Sequence, residues 1–571
     1  MNSFESLIAG LIADKAPITI EDARQLLVVP QDSSHGNFSF PCFSLAKLLK
    51  KNPKLIAEEL ADQIILPVGL AKVEALNGYL NFYMDRAFLA SKVLLEIEEK
   101  KLNYGHAPQN NKSVVIDFSS PNMGKELAFH HLRSTMIGNS LSKIYEANGY
   151  KVERVNHLGD WGTAFGKLIV MYLKENLPLE DQELEKLSVK ELNLLYASFA
   201  NEAKSNPEIE EEARKAFTRL EQGDALYRKL WAAFKEATLK ELRRLYQILG
   251  VSFDHYVGES FFEDKIPAVI ENLQQKKLLI KSQDLDVVML EDKKLPPCLI
   301  RKSDGSTLYA TRDLAAAIYR KETFDFEKCL YVVDLGQSLH FKQVFEVLKQ
   351  MDYAWSQDLL HIPFGLILQQ NEEGKWEKGK TRTGTASLLR DVIEAATQKI
   401  LDFIEEKNPN LADKKTVATQ IGVSALVFND LKNKRLMDVK FDWDAALSFE
   451  GATGPYVQNA LVRLYSIMRK AAYTVDKNDV QWDQIIDDTA YELIKTLGRK
   501  EENIRKACEA NEPSILAQYA LDIAEAAHRF IHHNRVLGST EEQSRLFLVQ
   551  QAQTVLENTI ELLGLYPIQQ M

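Results

Sequence analysis

Apolar positions at helical spacing open the chain. In MNSFESLIAGLIADKAP (residues 1–17) and CFSLAKLLKKNPKLIAEELADQI (42–64) they gather on one side of a helix, and GYLNFYM (78–84) then reads as a strand. Residues 1–95 are therefore expected to form a small α+β domain. After the polar link GHAPQNNKS (105–113), the β-branched run VVIDF (114–118) enters the turn SSPN, the pattern of a buried parallel strand. The strand-like runs VERVNH (152–157), CLYVVDL (329–335) and IPFGLIL (362–368) alternate with helical patterns, which predicts a doubly wound α/β domain over residues 112–385. Between Val170 and Leu249 the pattern is long, charged and helical, an insertion hung on the sheet. From about Ala386 the helical period runs to the end, giving a connecting region (386–450) and an all-helical bundle (451–571).

Composition narrows the class. A chain of 571 residues predicts two to four domains, and no run of about 18 apolar residues is present to span a bilayer. The N-terminal apolar patch carries acidic residues and no basic leader, so it reads as an amphipathic helix and not a signal peptide, and a cytoplasmic location is expected. Cys42, Cys298, Cys329 and Cys508 are far apart with no CxxC spacing, which argues against a disulfide framework or a structural metal. The net charge of -11 argues against a general nucleic-acid coat, while leaving room for an RNA held by a local basic surface.

Three stretches carry candidate chemistry. In open α/β sheets, helix N-termini beyond the strand ends present free N–H groups to phosphates. KELAFHHLRST (125–135) sits at such a handover, so His130 and His131 are candidate donors to a nucleotide phosphate, the plain alternative being two surface histidines. Adjacent residues project in different directions on a helix, making the pair a poor metal chelate. EKGKTRTGT (377–385) is either a solvated loop or a phosphate clamp in which Lys378, Lys380 and Arg382 supply charge and Gly384 lets the backbone move. An ordinary P-loop ATPase is set aside as the main reading. In SDGSTLYATRDLAAA (303–317), a helix would put Tyr309 and Asp313 on one face; with Glu259 of YVGES they would form a receptor for a planar cation such as guanidinium. Each carboxylate also has a plain reading, as a helix-dipole partner or a solvated loop residue.

In their order and spacing, IDFSSPN, KEL…HLRSTMIG, RVNHLGDWGTAFG, KSDGSTLYATRDLAAAIYR, YVVDLGQSLHFKQ, the KTRTG loop and FEGATGPYVQNALVRL resemble the class I arginyl-tRNA synthetases. With HGNFSFP…GYLNFYM and the helical C-terminus, the resemblance covers almost the whole chain. It implies a Rossmann-type catalytic domain with a helical insertion, between a tRNA-elbow-binding domain (1–95) and a helical anticodon-binding domain (451–571). It further implies an arginine–tRNA ligase: ATP, accompanied by Mg2+, activates L-arginine to arginyl-adenylate, and the arginyl group passes to the 3′ end of tRNA(Arg), activation generally requiring bound tRNA. The expected form is a monomer with no DNA or membrane partner. Residue by residue, the resemblance implies arginine contacts at Asn122, Glu259, Tyr309, Asp313 and Gln337. It implies ATP contacts at Ser120, Pro121, Ala128, Phe129, His130, His131 and Thr381, and catalytic roles for Lys125, His130, His131, Lys380 and Arg382. Tyr79 and Asn81 match positions that meet the tRNA elbow.

One signature departs from the family. His-x-Gly-His is usual before LRST; here Ala128 stands at the first histidine and His130 at the glycine, and His131 alone is retained. Thr381 stands where many class I enzymes carry the second lysine of the KMSKS loop, a loss for which Lys125 is taken to compensate in this family. Losing a donor that meets developing phosphate charge costs ~2.7–4 kcal/mol of barrier, by analogy with oxyanion-hole donors. The competing reading is therefore a synthetase-like tRNA- or arginine-binding paralogue with impaired adenylation. A small-molecule ligase or nucleotidyltransferase on the same fold is disfavoured by the helical C-terminal domain.

Overall fold

The computed structural model describes residues 2–30, 32, 35–302, 308–371, 373–377, 387–471, 473 and 475–571. They form two compact units, one of residues 1–105, 460–503 and 521–558, the other of residues 106–459, 504–520 and 559–571.

In the first unit, strands β1 (Phe38–Pro41), β2 (Leu70–Leu76) and β3 (Tyr79–Met84) form an antiparallel sheet in the order β1-β3-β2. The expected helical stretch 42–64 is two helices, Phe43–Leu49 and Pro53–Gln63. Lys50 turns left-handed at φ 51, and Asn52 restarts the chain by accepting the Lys54 N–H at 2.9 Å, with proline in the first turn where no N–H is needed. The helix Arg86–Lys100 buries Leu89, Val93, Leu94 and Ile97. Arg86 donates to Asp488 Oδ1 at 2.9 Å and lies 4.5 Å over the Tyr491 ring, tying this helix to Asp488–Leu497. The helical stretches 460–503 and 521–558 thus group with residues 1–105 in one compact unit.

The second unit is built on five parallel strands: β4 (Ser113–Asp117), β5 (Lys151–Leu158), β6 (His255–Gly258), β10 (Lys328–Tyr331) and β11 (Leu359–His361), with β7 (Leu279–Ser282), β8 (Leu285–Val288) and β9 (Cys298–Arg301) forming a separate antiparallel meander. The parallel order is β11-β10-β4-β5-β6. Val114, Val115 and Ile116 of the central strand are wholly buried, as the β-branched run predicted. The helices Thr163–Lys174, Val189–Ser205, Ile209–Glu221 and Ala225–Leu249 make the predicted insertion between the neighbouring strands β5 and β6. The chain leaves β4 towards β5 on one side and leaves β10 towards β11 on the other. This puts the topological switch point, where such sheets open a crevice, between β4 and β10.

IPFGLIL is not a strand of this sheet. The edge strand β11 ends at His361; Pro363 has no N–H to continue the ladder, and Ile367–Gln370 pairs instead with Val439–Lys440 and Trp376–Glu377. Among the described residues no helix is long and apolar enough to cross a membrane.

Candidate active site

At the switch point the chain after β4 turns sharply. Ser119 and Ser120 adopt φ of 69 and 44, a left-handed backbone that side chains disfavour, so outside bonds must hold it. The Ser119 N–H donates to Ser134 Oγ at 3.0 Å, Ser134 Oγ donates to Val332 O at 2.7 Å, and Ser120 Oγ donates to Asp117 Oδ1 at 2.6 Å. Beneath the turn, Arg320 donates to Asp117 Oδ2 at 2.7 Å and lies 3.4 Å from His157 Nδ1, whose imidazole is held below its ordinary range by burial.

A cleft of about 180 Å3 opens here, lined by Ser119, Ser120, His130, His131, Arg133, Val332, Asp334 and the segment 364–367 among others. Both histidines reach it. His130 is the residue before the helix His131–Ala147, so the divergence expected of two neighbouring helical side chains does not apply: their rings lie 4.3 Å apart at 31°. His131 Nδ1 lies 3.0 Å from Ala128 N and 3.1 Å from Ala128 O, so the Ala128 backbone anchors that edge of the ring. Ala128 and Phe129 are buried and line no part of the cleft. Ala128 bridges Leu388, and the Phe129 ring packs edge-on against Phe441 at 4.9 Å. Pro121 is buried too, and its carbonyl accepts the Gly159 N–H at 3.0 Å. Any part these three play towards a nucleotide is confined to backbone and shape.

The expected guanidinium receptor lies on the neighbouring strand ends. Tyr309 and Asp313 both fall on the helix Tyr309–Phe324, and Glu259 opens the short turn after β6. Burial pushes the Glu259 carboxyl up to about 7; Arg312 pulls it back, while Asp313, Asp160 and Glu263 push it further. Arg312 Nη1 reaches Glu259 Oε2 at 3.5 Å and its Nε donates to Glu263 at 3.0 Å. Asp313 Oδ2 meets His340 Nε2 at 2.5 Å. Asn122 is exposed beside Gly159, exposed Gln337 precedes the helix that carries His340, and Tyr309 is exposed at its helix start.

Lys125 lies 3.7 Å over the ring of Tyr196 on the inserted helix Val189–Ser205. Its neighbour Glu126 is held by Asn193 and Arg390, each at 2.7 Å. Lys378, Lys380, Thr381, Arg382 and Gly384 lie outside the described residues. In the other unit, Tyr79 is 39% exposed, edge-on to Phe43 at 5.2 Å. Asn81 corrects the expectation: it is 2% exposed and its Oδ1 accepts the Ser39 hydroxyl at 2.6 Å, so it ties β1 to β3 and offers no surface to a tRNA. Arg133, Asp160, Arg312 and His340 were not expected at the site. The first two stand inside HLRST and HLGDWG, whose spacing gave them no role. Among the described residues no group of three or more His, Cys, Asp or Glu side chains gathers to hold a metal.

The chain matches three family models: tRNA synthetases class I (R), catalytic domain, over residues 93–443; the DALR anticodon binding domain, over 457–571; and the arginyl tRNA synthetase N terminal domain, over 2–84. Curated relatives include the arginine–tRNA ligase of Alkaliphilus metalliredigens, 44% identical over 99% of both chains, and that of Clostridioides difficile, 42% identical over 100% of both. Among solved structures, an arginyl-tRNA synthetase from Plasmodium falciparum superposes with a TM-score of 0.79 at 26% identity, covering 100% of this chain and 99% of its own. That of Thermus thermophilus matches in fold, with a TM-score of 0.79 at 24% identity and 100% of both chains covered. By its catalytic, anticodon-binding and N-terminal domains alike, the chain belongs to the arginyl-tRNA synthetase family.

Proposed function

We propose that the protein is an active arginine–tRNA ligase working in the cytoplasm as a monomer, with L-arginine, ATP and tRNA(Arg) as its substrates. In the first step an arginine carboxylate oxygen attacks the α-phosphorus of ATP and pyrophosphate leaves. In the second a terminal ribose hydroxyl of the tRNA attacks the arginyl carbonyl and AMP leaves. Glu259 and Asp313 face the guanidinium, with Asn122, Tyr309 and Gln337 around them; ATP enters the adjoining cleft, where His130 and His131 meet its phosphates. Lys125 leaves the Tyr196 ring to join them, and Lys380, Thr381 and Arg382 are assigned to the same phosphates. Tyr79 meets the tRNA elbow.

Magnesium accompanies the nucleotide. Asp334 is the single carboxylate among the described residues lining the cleft, and it already accepts the Gly336 N–H at 2.7 Å, so the donor set does not fit a protein-held ion. The ion arrives on the ATP phosphates, and no step is drawn through a protein site.

The observation that carries this reading is the partly buried, charge-crowded Glu259, which feels Asp313, on the same parallel sheet as a cleft walled by two histidines. Carboxylates crowded in a partly buried site favour a further cation, and a guanidinium can meet two of them at once. The adenylation-impaired paralogue is not favoured, because the relatives that share the whole length of the chain are arginine–tRNA ligases. Arginine-dependent ATP–pyrophosphate exchange in the presence of tRNA tests the reading. Exchange at background level, with tRNA binding intact, would replace it by the binding-only alternative.

A further inference from the structure

Asp160 lies on the turn after β5, wholly buried, with both carboxylate oxygens engaged. Oδ1 accepts the Ser260 N–H at 2.9 Å; Oδ2 accepts the Ser260 hydroxyl at 2.7 Å and the Lys235 ammonium at 2.6 Å. The fit leaves no room, since a Cβ at Gly258 would lie 2.1 Å from Oδ2. Trp231 Nε1 donates to the Asp160 carbonyl at 2.7 Å, so two residues one turn apart on the inserted helix Ala225–Leu249 grip this turn. From its other side, Gly159 donates to Pro121 O and accepts the Met123 N–H, both at 3.0 Å, and a Cβ on Gly159 would lie 2.3 Å from Asn122 Oδ1.

We infer that Asp160 and Lys235 are positioning residues for the amino acid: anchored on the insertion, the pair fixes Ser260 and Gly159 so that Glu259 and Asn122 meet one substrate from two sides. This rests on the assignment of Glu259 and Asn122 to arginine made above. The insertion is then part of arginine recognition, although none of its residues need touch the substrate. A buried carboxylate tolerates the loss of its cation poorly, so Lys235 governs both the geometry of the turn and the charge that Glu259 feels. The other charges facing Glu259 are Arg312 and Asp313 from the helix Tyr309–Phe324 and Glu263 from its own turn. Without Lys235, Asp160 repels an ionised Glu259 uncompensated, and arginine binding fails at a higher pH than before.

The test is tRNA-dependent ATP–pyrophosphate exchange on the full chain with arginine varied between roughly pH 6 and 9, a range spanning the titration of a raised carboxyl. Lys235→Met is expected to raise the arginine KM roughly tenfold, with kcat and the ATP KM nearly unchanged, because what is lost is orientation of an amino-acid contact. Its acid limb for arginine should move to higher pH, which a merely structural helix contact would not do. Lys235→Arg keeps the charge and should retain the original limb. Ser260→Ala, which removes one bond and no charge, should raise the arginine KM by roughly threefold without moving the limb. A folded Lys235→Met protein with unchanged arginine KM overturns the inference, as does a parallel rise in arginine and ATP KM. If Lys235→Met does not fold, Ser260→Ala decides, and an unchanged arginine KM there overturns it. Absence of exchange in the wild type would defeat the proposed activity instead. Arginine affinity by calorimetry then decides the present point, with weaker binding in Lys235→Met supporting it and equal binding overturning it.

Discussion

Arg133 and Asp430 form a buried ion pair, Nε to Oδ1 at 3.2 Å, their side chains 1% and 3% exposed. Arg133 also donates to Leu366 O at 3.2 Å and Arg435 O at 3.0 Å. The residue two places after the cleft histidine His131 is thereby fixed to the segment that enters the strand Ile367–Gln370. Asp430→Ala should cost about 3–5 kcal/mol in urea unfolding, the usual result of stranding a buried charge. Burial holds the Asp430 carboxyl up at about 6, against the pull of Arg133. Because the folded value lies above the ordinary one, this group's contribution to stability is full below about pH 4 and is lost as pH rises through about 6. Asp430→Asn should flatten that part of the stability profile; an unaltered slope would remove the group from the titration.

Glu259 gives the activity its own pH dependence. Its carboxyl is raised to about 7 in the empty site, chiefly by burial, and a guanidinium needs the ionised form. Arginine affinity should therefore fall as pH drops below about 7, by roughly tenfold one unit lower, while affinity at alkaline pH stays flat. Calorimetric titration of arginine across this range checks it. Glu259→Gln should bind arginine weakly at every pH with no acid limb.

Tyr79 and Asn81 separate recognition from folding on a single strand. Tyr79→Ala should weaken tRNA binding by roughly 1–3 kcal/mol, the usual value of one stacking ring, with little change in unfolding midpoint. Asn81→Ala should destabilise the fold by about 1–3 kcal/mol, because the buried Ser39 hydroxyl loses its acceptor. Filter binding at two salt concentrations, beside thermal unfolding, distinguishes them, and the tRNA affinity itself should decline with salt as phosphate contacts release counterions. Full tRNA affinity in Tyr79→Ala would place the elbow contact elsewhere.

Much of this architecture could be read from periodicity. VVIDF announced the central strand and the charged helical run announced the insertion, because burial on both faces and an exposed helix leave unmistakable patterns. The edge strand was misplaced because the apolar run IPFGLIL outweighed the Pro363 and Gly365 inside it. Helix periodicity also says that an apolar face must be covered but not by what, so the partnership of Arg86–Lys100 with Asp488–Leu497 was out of reach. The placement of Tyr309 and Asp313 on one helix was legible through their four-residue spacing. Contacts such as His340 to Asp313, 27 residues apart, and Lys235 to Asp160, 75 apart, leave no local mark.

The altered signature AFHH can now be argued from geometry. His130 has φ -64 and ψ -20, a conformation open to any residue, so the backbone there does not demand the glycine usual in this family. What histidine changes is space, because its ring lies on the cleft wall against His131. His130→Gly should therefore tighten ATP binding, and its effect on the exchange rate reports whether the ring also donates to a phosphate. Ala128 is 2% exposed. A histidine there must displace packed neighbours, so Ala128→His alone should cost about 1–3 kcal/mol of stability before any catalytic gain. The two sites are close enough to couple and must be measured singly and together. His131→Ala should slow adenylation by roughly 10²–10³, the loss typical of one donor to developing charge. If His130→Gly binds ATP more tightly but exchanges more slowly, His130 has taken over the donor role that the first histidine normally fills. If His131→Ala exchanges at the wild-type rate, the nucleotide does not occupy this cleft.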